Sequence, residues 1–194
     1  LAASAGLMVI SQVALIARDQ ANIDKWGFAP VATLALFNTL GRVVSGFLSD
    51  RIGRTNTMTL AFALQAVNMF TFIHYTTPAL LIFGSAFTGL CYGTIFTLFP
   101  ATTADYYGVK NLGVNYGLVF TGFGVAGVIG PMLGGKIRDA FGSYHHAFTI
   151  SAIMLLAGAV LALILKSPKT ESAPLSANPL GGQRSVGKAE AIRK

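Results

Sequence analysis

LFNTLGRVVSGFLSDRIGRT, residues 36–55, changes character halfway along. Up to Ser49 it is built of apolar and small residues and carries one charge, Arg42. Asp50, Arg51 and Arg54 then fall within five positions. An apolar stretch closed by a glycine-marked cluster of charges reads as a membrane-spanning helix with a polar turn at its end. Arg42 lies eight residues before Asp50, about 12 Å along a helix that rises 1.5 Å per residue. It is therefore too deep to reach the interface by snorkelling. At that depth an arginine costs about 2.5–3.5 kcal/mol on the insertion scale, so it marks a function.

The rest of the chain supports a membrane reading. Of 194 residues, 53% are hydrophobic and only 11% charged, where a soluble domain carries about 25% charged residues. The 22 glycines suit closely packed membrane helices. The net charge of +7 forms no patch. Basic residues sit at the ends of apolar segments and in the tail, so nucleic acid is not the expected partner. The lone cysteine, Cys91, lies in an apolar run and is expected to be buried.

Six apolar segments predict an all-α membrane protein with six spanning helices: roughly 1–17, 31–49, 57–75, 79–101, 112–134 and 145–166. The last is apolar all round and is expected to face lipid over much of its surface. The sequence opens inside an apolar segment, with no methionine and no basic leader, which predicts a piece of a longer protein and no signal peptide. Residues 167–194 contain Pro168, Pro174, Pro179, Gly181 and Gly182 among lysines and arginines, and predict a disordered basic tail. Alternating linkers place nine basic residues on the side of Arg51, Arg54 and the tail, against four on the side of Arg18 and Arg138. The positive-inside rule then puts the C-terminus in the cytoplasm.

Asn38, Arg42, Ser45 and Ser49 fall at i, i+4, i+7 and i+11, one face of one helix. That polar face is expected to line an aqueous cavity. All seven acids sit near segment ends or in the tail, so the apolar segments supply no counter-ion for Arg42. Two readings follow: an anion site, since a guanidinium presents a planar fork that matches a carboxylate, or an ion pair with an acid from elsewhere. Tyr92 and Phe96 share a face of the fourth segment, and Tyr116, Phe120 and Phe123 a face of the fifth, so both can contribute to an apolar pocket.

Other motifs carry less. GFGVAG (122–127) has dinucleotide-site spacing, but it lies inside one long apolar segment, with Asp139 too near for the ribose acid. It reads as helix packing, like Gly113/Gly117 and Gly130/Gly134. His145 and His146 are adjacent and point apart on a helix, a poor metal site. No nucleophile elbow, zinc-protease motif or carboxylate pair is present, so neither an enzyme nor a cofactor is expected.

Residues 46–54, GFLSDRIGR, resemble the G-x-x-x-D-R-x-G-R loop of the major facilitator superfamily, and they lie where that family has it, between the second and third helices of a six-helix half. LFNTLGRVVSGFLSDRIGR, GTIFTLFPATTADYYG and NLGVNYGLVFTGFGVAG resemble the C-terminal half of its oxalate/formate antiporter and monocarboxylate transporter branch, and the likeness covers nearly all of residues 1–166. It implies one half of a major facilitator fold, completed by an N-terminal half. It also implies a multi-pass protein of a bacterial-type inner membrane that moves a small organic anion by alternating access. Arg42 would bind the substrate carboxylate, with Asn38, Tyr92, Tyr116, Phe120 and Phe123 around it. Gly46, Asp50, Arg51, Gly53 and Arg54 would form a gating latch, in which Gly46 permits close helix approach and Asp50 faces the helix starting near residues 110–115.

Two departures bear on the substrate. Phe123 stands where the oxalate antiporter has a second cation, which favours a monocarboxylate such as pyruvate, lactate or formate over a dianion. Asn38 stands where animal-type proton-coupled transporters have an aspartate, which leaves symport and exchange both open. Oxalate/formate-type exchange, or a carboxylate sensor on the same fold, are the alternatives.

Overall fold

A computed structural model describes residues 1–23 and 27–165; the expected tail, 167–194, lies outside the described residues. Six helices follow in order: α1 (Ala2–Ala21), α2 (Phe28–Ile52), α3 (Arg54–Phe72), α4 (Pro78–Tyr107), α5 (Leu112–Phe141) and α6 (His145–Ile164). The described residues contain no strand.

Each expected segment is a helix, but the boundaries move. α4 and α5 each run 30 residues, passing through Pro100 and Pro131. Proline lacks the N–H that would bond the carbonyl four residues back, and membrane helices tolerate the loss because neighbours re-satisfy the freed group. α2 and α3 are separated by Gly53 alone. Its φ of +90° is a conformation that side chains oppose, and its N–H donates to the Ser49 carbonyl at 3.0 Å.

Five of the six helices are long and apolar enough to span a membrane; α3 is the exception to the six expected spans. Its 19 residues include Gln65, Asn68 and several threonines. Gln65, Asn68 and Thr57 turn inward. Asn68 Nδ2 donates to Thr88 Oγ1 at 3.0 Å and to the Gly84 carbonyl at 3.1 Å, and Gln65 Nε2 donates to Thr88 at 3.2 Å. Tyr75 closes the network by donating to Asn68 Oδ1 at 3.2 Å. A buried polar network of this kind fixes the register of two helices when its groups are satisfied.

The helices associate chiefly as α2 on α4, α1 on α5, and α3 between α4 and α6. Met8, Ile16, Met69, Phe72, Leu81, Leu98, Phe148 and Leu155 form the centre of the core. Cys91 is buried, as expected, and Ile153, Leu156, Val160 and Leu163 of α6 face outward.

Glycines set the two closest crossings. A Cβ on Gly89 or Gly93 would lie 2.2 Å from the Leu34 or Asn38 carbonyl oxygen of α2, and one on Gly41 would lie 2.1 Å from that of Leu90. On α5, a Cβ on Gly130 would lie 2.5 Å from the Ser4 carbonyl oxygen, and Gly134 packs on Met8 and Gln12. Gly130 and Gly134 therefore pack as expected. Gly113, Gly117, Gly122, Gly124 and Gly127 do not, because nothing within the described chain approaches them. Within the GFGVAG stretch the three glycines are exposed while Ala126 is buried and Phe123 half-buried, and the buried residues of α5 are Ala126, Gly130, Gly134 and Ile137. α2 is bare on most of its circumference as well.

Candidate functional site

Arg42 lies on the open side of α2 at mid-helix, and four contacts hold it. Its Nε–H donates to Asn38 Oδ1 at 3.3 Å, one helical turn back. Its guanidinium carbon sits 4.5 Å above the centre of the Phe96 ring of α4, within the range of a cation–π contact. Its backbone carbonyl accepts from Thr97 Oγ1 of α4 at 3.1 Å and from Ser45 Oγ at 3.2 Å. Gly93 lets α4 approach this closely. With Nε engaged by Asn38 and one face against Phe96, the two terminal nitrogens keep their hydrogens for an end-on, two-pronged partner.

The aromatic residues continue from Phe96 across to α5. Phe96 meets Phe123 edge to face at 5.3 Å, Phe123 stacks on Phe120 at 5.0 Å, and Phe120 meets Tyr116 at 5.7 Å. Tyr92 contacts Phe96 at 5.5 Å and Phe123 at 6.4 Å. Tyr92 is only 6% exposed; its ring lies against Gly6 of α1, and its buried hydroxyl has no hydrogen-bond partner among the described residues. A cavity of about 180 Å³ between α1, α4 and α5 is lined by Phe96, Phe99, Tyr116, Phe120, Gly122 and Phe123, among others. Of the residues singled out in sequence as a possible ligand site, Tyr116, Phe120 and Phe123 line this cavity and Asn38, Arg42 and Tyr92 do not; Phe96 touches both Arg42 and the aromatic cluster.

The polar face of α2 divides. Asn38 and Arg42 reach the open side, whereas Ser45 and Ser49 are each 3% exposed. Both return their hydroxyls to their own helix, Ser45 to the Arg42 carbonyl and Ser49 to that of Gly46 at 2.8 Å. Ser45 lies among Thr57 and Ala61 of α3 and Leu90, Cys91 and Thr94 of α4, and Ser49 accepts from Arg54 at the start of α3, so these serines line a helix contact and not the expected aqueous cavity.

The charged end of α2 also differs from expectation. Asp50 pairs with Arg54 at 2.9 Å, and Arg54 pairs with Asp105 of α4 at 3.3 Å and donates to Ser49 Oγ. The cross-helix partner is therefore the end of α4, and no contact joins Asp50 to the start of α5 among the described residues. Arg54 opens α3, where the helix dipole disfavours a cation; the two acids offset that cost. Gly46 is not the tight crossing, since a Cβ there would meet Thr97 at an ordinary 3.7 Å. Arg51 and Gly53 are exposed. Asp50 and Asp105 are 67% and 47% exposed, and such pairs contribute about 0–1 kcal/mol. A bridge this weak can be broken at little cost.

At the opposite end of the bundle Arg138 of α5 binds Asp19 of α1 through two prongs, Nε to Oδ2 at 2.7 Å and Nη2 to Oδ1 at 3.3 Å. Tyr144, beneath Arg138, donates to Gln12 Oε1 at 3.1 Å. Burial pushes its phenol above the ordinary tyrosine range, so it stays a neutral donor.

Sequence reasoning missed Asp105, the role of Phe96 beneath Arg42, the Asp19–Arg138 pair and the Gly41/Gly89/Gly93 crossing. Only the last left a local signal, the small-x-x-x-small spacing of GLCYG (89–93).

Comparison with known proteins agrees with this architecture. Residues 2–193 match the profile of the Major Facilitator Superfamily. The chain is 31% identical over 129 residues to an uncharacterized MFS-type transporter, YhjX, of Escherichia coli (strain K12), covering 66% of this chain and 32% of the relative. It is 34% identical over 125 residues to the oxalate:formate antiporter of Oxalobacter formigenes, covering 61% and 28%. It is 27% identical over 139 residues to human monocarboxylate transporter 14, covering 71% and 27%. The chain spans about a third or less of the length of these relatives. With its six helices, five of them apolar enough to cross a bilayer, the chain belongs to the major facilitator superfamily of multi-pass membrane transporters.

Proposed function

We propose that this chain is the C-terminal half of a secondary transporter that moves a small monocarboxylate by alternating access. The observation that carries this reading is Arg42: an exposed guanidinium at mid-helix on the open face of α2, seated on Phe96 and held at Nε by Asn38. A cation on that face cannot border lipid without a cost of several kcal/mol. The face is therefore covered by an N-terminal half of the same protein, with the anion held between the halves near the midplane. The comparisons support the class, since one relative is named for oxalate and formate and another for monocarboxylates.

A monocarboxylate is favoured over a dianion because Phe123, packed between Phe96 and Phe120, brings no second cation to the cluster. Asp50, Arg51 and Arg54, with Asp105, form the latch at the cytoplasmic end, in a bacterial-type inner membrane with the C-terminus in the cytoplasm. Substrate passes through without covalent chemistry.

The test is counterflow of lactate, pyruvate and formate in proteoliposomes holding the full-length protein. Arg42→Lys keeps the charge and loses the fork. Charge-assisted hydrogen bonds contribute about 1.5–3 kcal/mol each, so apparent affinity should fall roughly tenfold to a hundredfold. Uptake unaltered by both Arg42→Lys and Arg42→Ala would remove Arg42 from the site. Binding of these anions without counterflow would favour a sensor, and preferred exchange of oxalate would favour a dianion.

A further inference from the structure

The aromatic cavity says more about the substrate than its carboxylate does. It holds about 180 Å³, and an apolar cavity of about 150 Å³ is large enough to take up benzene. Among the described residues, no charged side chain lines it. Phe96, Phe99, Tyr116, Phe120 and Phe123 supply rings to its wall, together with Ile95, Val119 and residues 1–3 at the start of α1, and Gly122 leaves part of the wall without a side chain.

Phe96 belongs to both features. Arg42 lies 4.5 Å above the ring that also lines the cavity. A cation and an uncharged, ring-sized space are therefore separated by a single aromatic side chain. Lactate, pyruvate or formate would engage the cation and leave the cavity unfilled. A carboxylate joined to an apolar ring by a short chain that passes the edge of Phe96 would fill both, and its ring would meet aromatic partners in the offset and edge-on arrangements that such walls favour.

We propose that the preferred substrate is an arylalkanoate, a monocarboxylate with its head on Arg42 and its ring in the cavity bounded by Phe96, Tyr116, Phe120 and Phe123. This rests on the carboxylate reading of Arg42 and adds the chemistry of the other end of the molecule. Gly122 borders that cavity with open space around it, so it is a specificity position at which a leucine can be accommodated and would narrow the space left for a ring.

Counterflow with the full-length protein, using lactate and 3-phenyllactate as probes, tests both levels. Phenyllactate should have a KM roughly tenfold or more below that of lactate, from burial of its ring. Gly122→Leu should raise the phenyllactate KM about tenfold and leave lactate within about twofold. Should Gly122→Leu fail to fold, Phe120→Ala provides the second arm. By widening the cavity it should shift preference from phenyllactate to the bulkier indole-3-lactate. Lactate transport without phenyllactate transport would overturn this inference and leave the carboxylate reading standing. Gly122→Leu acting equally on both probes, or on neither, would also overturn it, the space then being filled by lipid or by the rest of the protein. Transport of neither probe, with Arg42→Lys silent, would overturn both.

Discussion

Replacing Gly93 with alanine should separate α2 from α4 and displace Arg42. The added Cβ would sit 2.2 Å from the Asn38 carbonyl oxygen and 3.1 Å from the Arg42 nitrogen. Ordinary contact begins at 3.4 Å, so moving from 2.2 to 3.4 Å requires the backbones to part by about 1.2 Å. Both nearest atoms are main chain, which has no rotamer to yield. Overpacking of this kind costs about 1–3 kcal/mol. The same shift withdraws Phe96 and Thr97 from Arg42, and a 1 Å misplacement of a positioning group can cost roughly a hundredfold in rate. The assay is thermal unfolding of the purified full-length protein together with carboxylate counterflow. Gly41→Ala and Gly89→Ala should behave alike, with Cβ distances of 2.1 and 2.2 Å to carbonyl oxygens. Gly46→Ala, at 3.7 Å from Thr97, and Gly113→Ala, with nothing within 4 Å, should be stable and active. Gly93→Ala matching Gly46→Ala in both measurements would refute the close crossing and the seat it provides for Arg42.

Two further predictions follow from the polar contacts. Asp105→Arg with Arg54→Asp should restore the side-specific cysteine accessibility that either change alone disturbs, while unfolding temperature moves little, because exposed pairs contribute about 0–1 kcal/mol; failure of the swap to restore it would exclude the pair from the latch. Thr88→Val should destabilise the protein by about 1–3 kcal/mol in a denaturation assay, because Gln65 and Asn68 each lose an acceptor in a buried network. No measurable loss would mean that water or another group satisfies them.

The sequence by itself determined a good deal. Apolar runs and their linkers located the six helices, because a bilayer demands long uninterrupted hydrophobic segments whatever they pack against. Arg42 stood out for the same reason: a charge in such a segment is costly enough to need an explanation. The spacing of Asn38 and Arg42, and of Phe120 and Phe123, placed each pair on one face, since helical periodicity is local.

Tertiary structure decided which faces meet. Ser45 and Ser49 have nearly the same helical phase as Arg42, yet they are buried while Arg42 is not, because they fall on the edge of that face that turns toward α3 and α4. Glycines of equal local spacing diverged likewise: Gly89 and Gly93 bear a crossing, and Gly113 and Gly117 face open space. Asp105 joined the charged cluster from 51 residues away, and Arg138 found Asp19 across 119. Periodicity fixes the direction of a side chain about its own helix axis, but burial, pairing and the seat of Arg42 on Phe96 depend on where the neighbouring axes cross, and side-chain volumes far apart in the chain set those crossings.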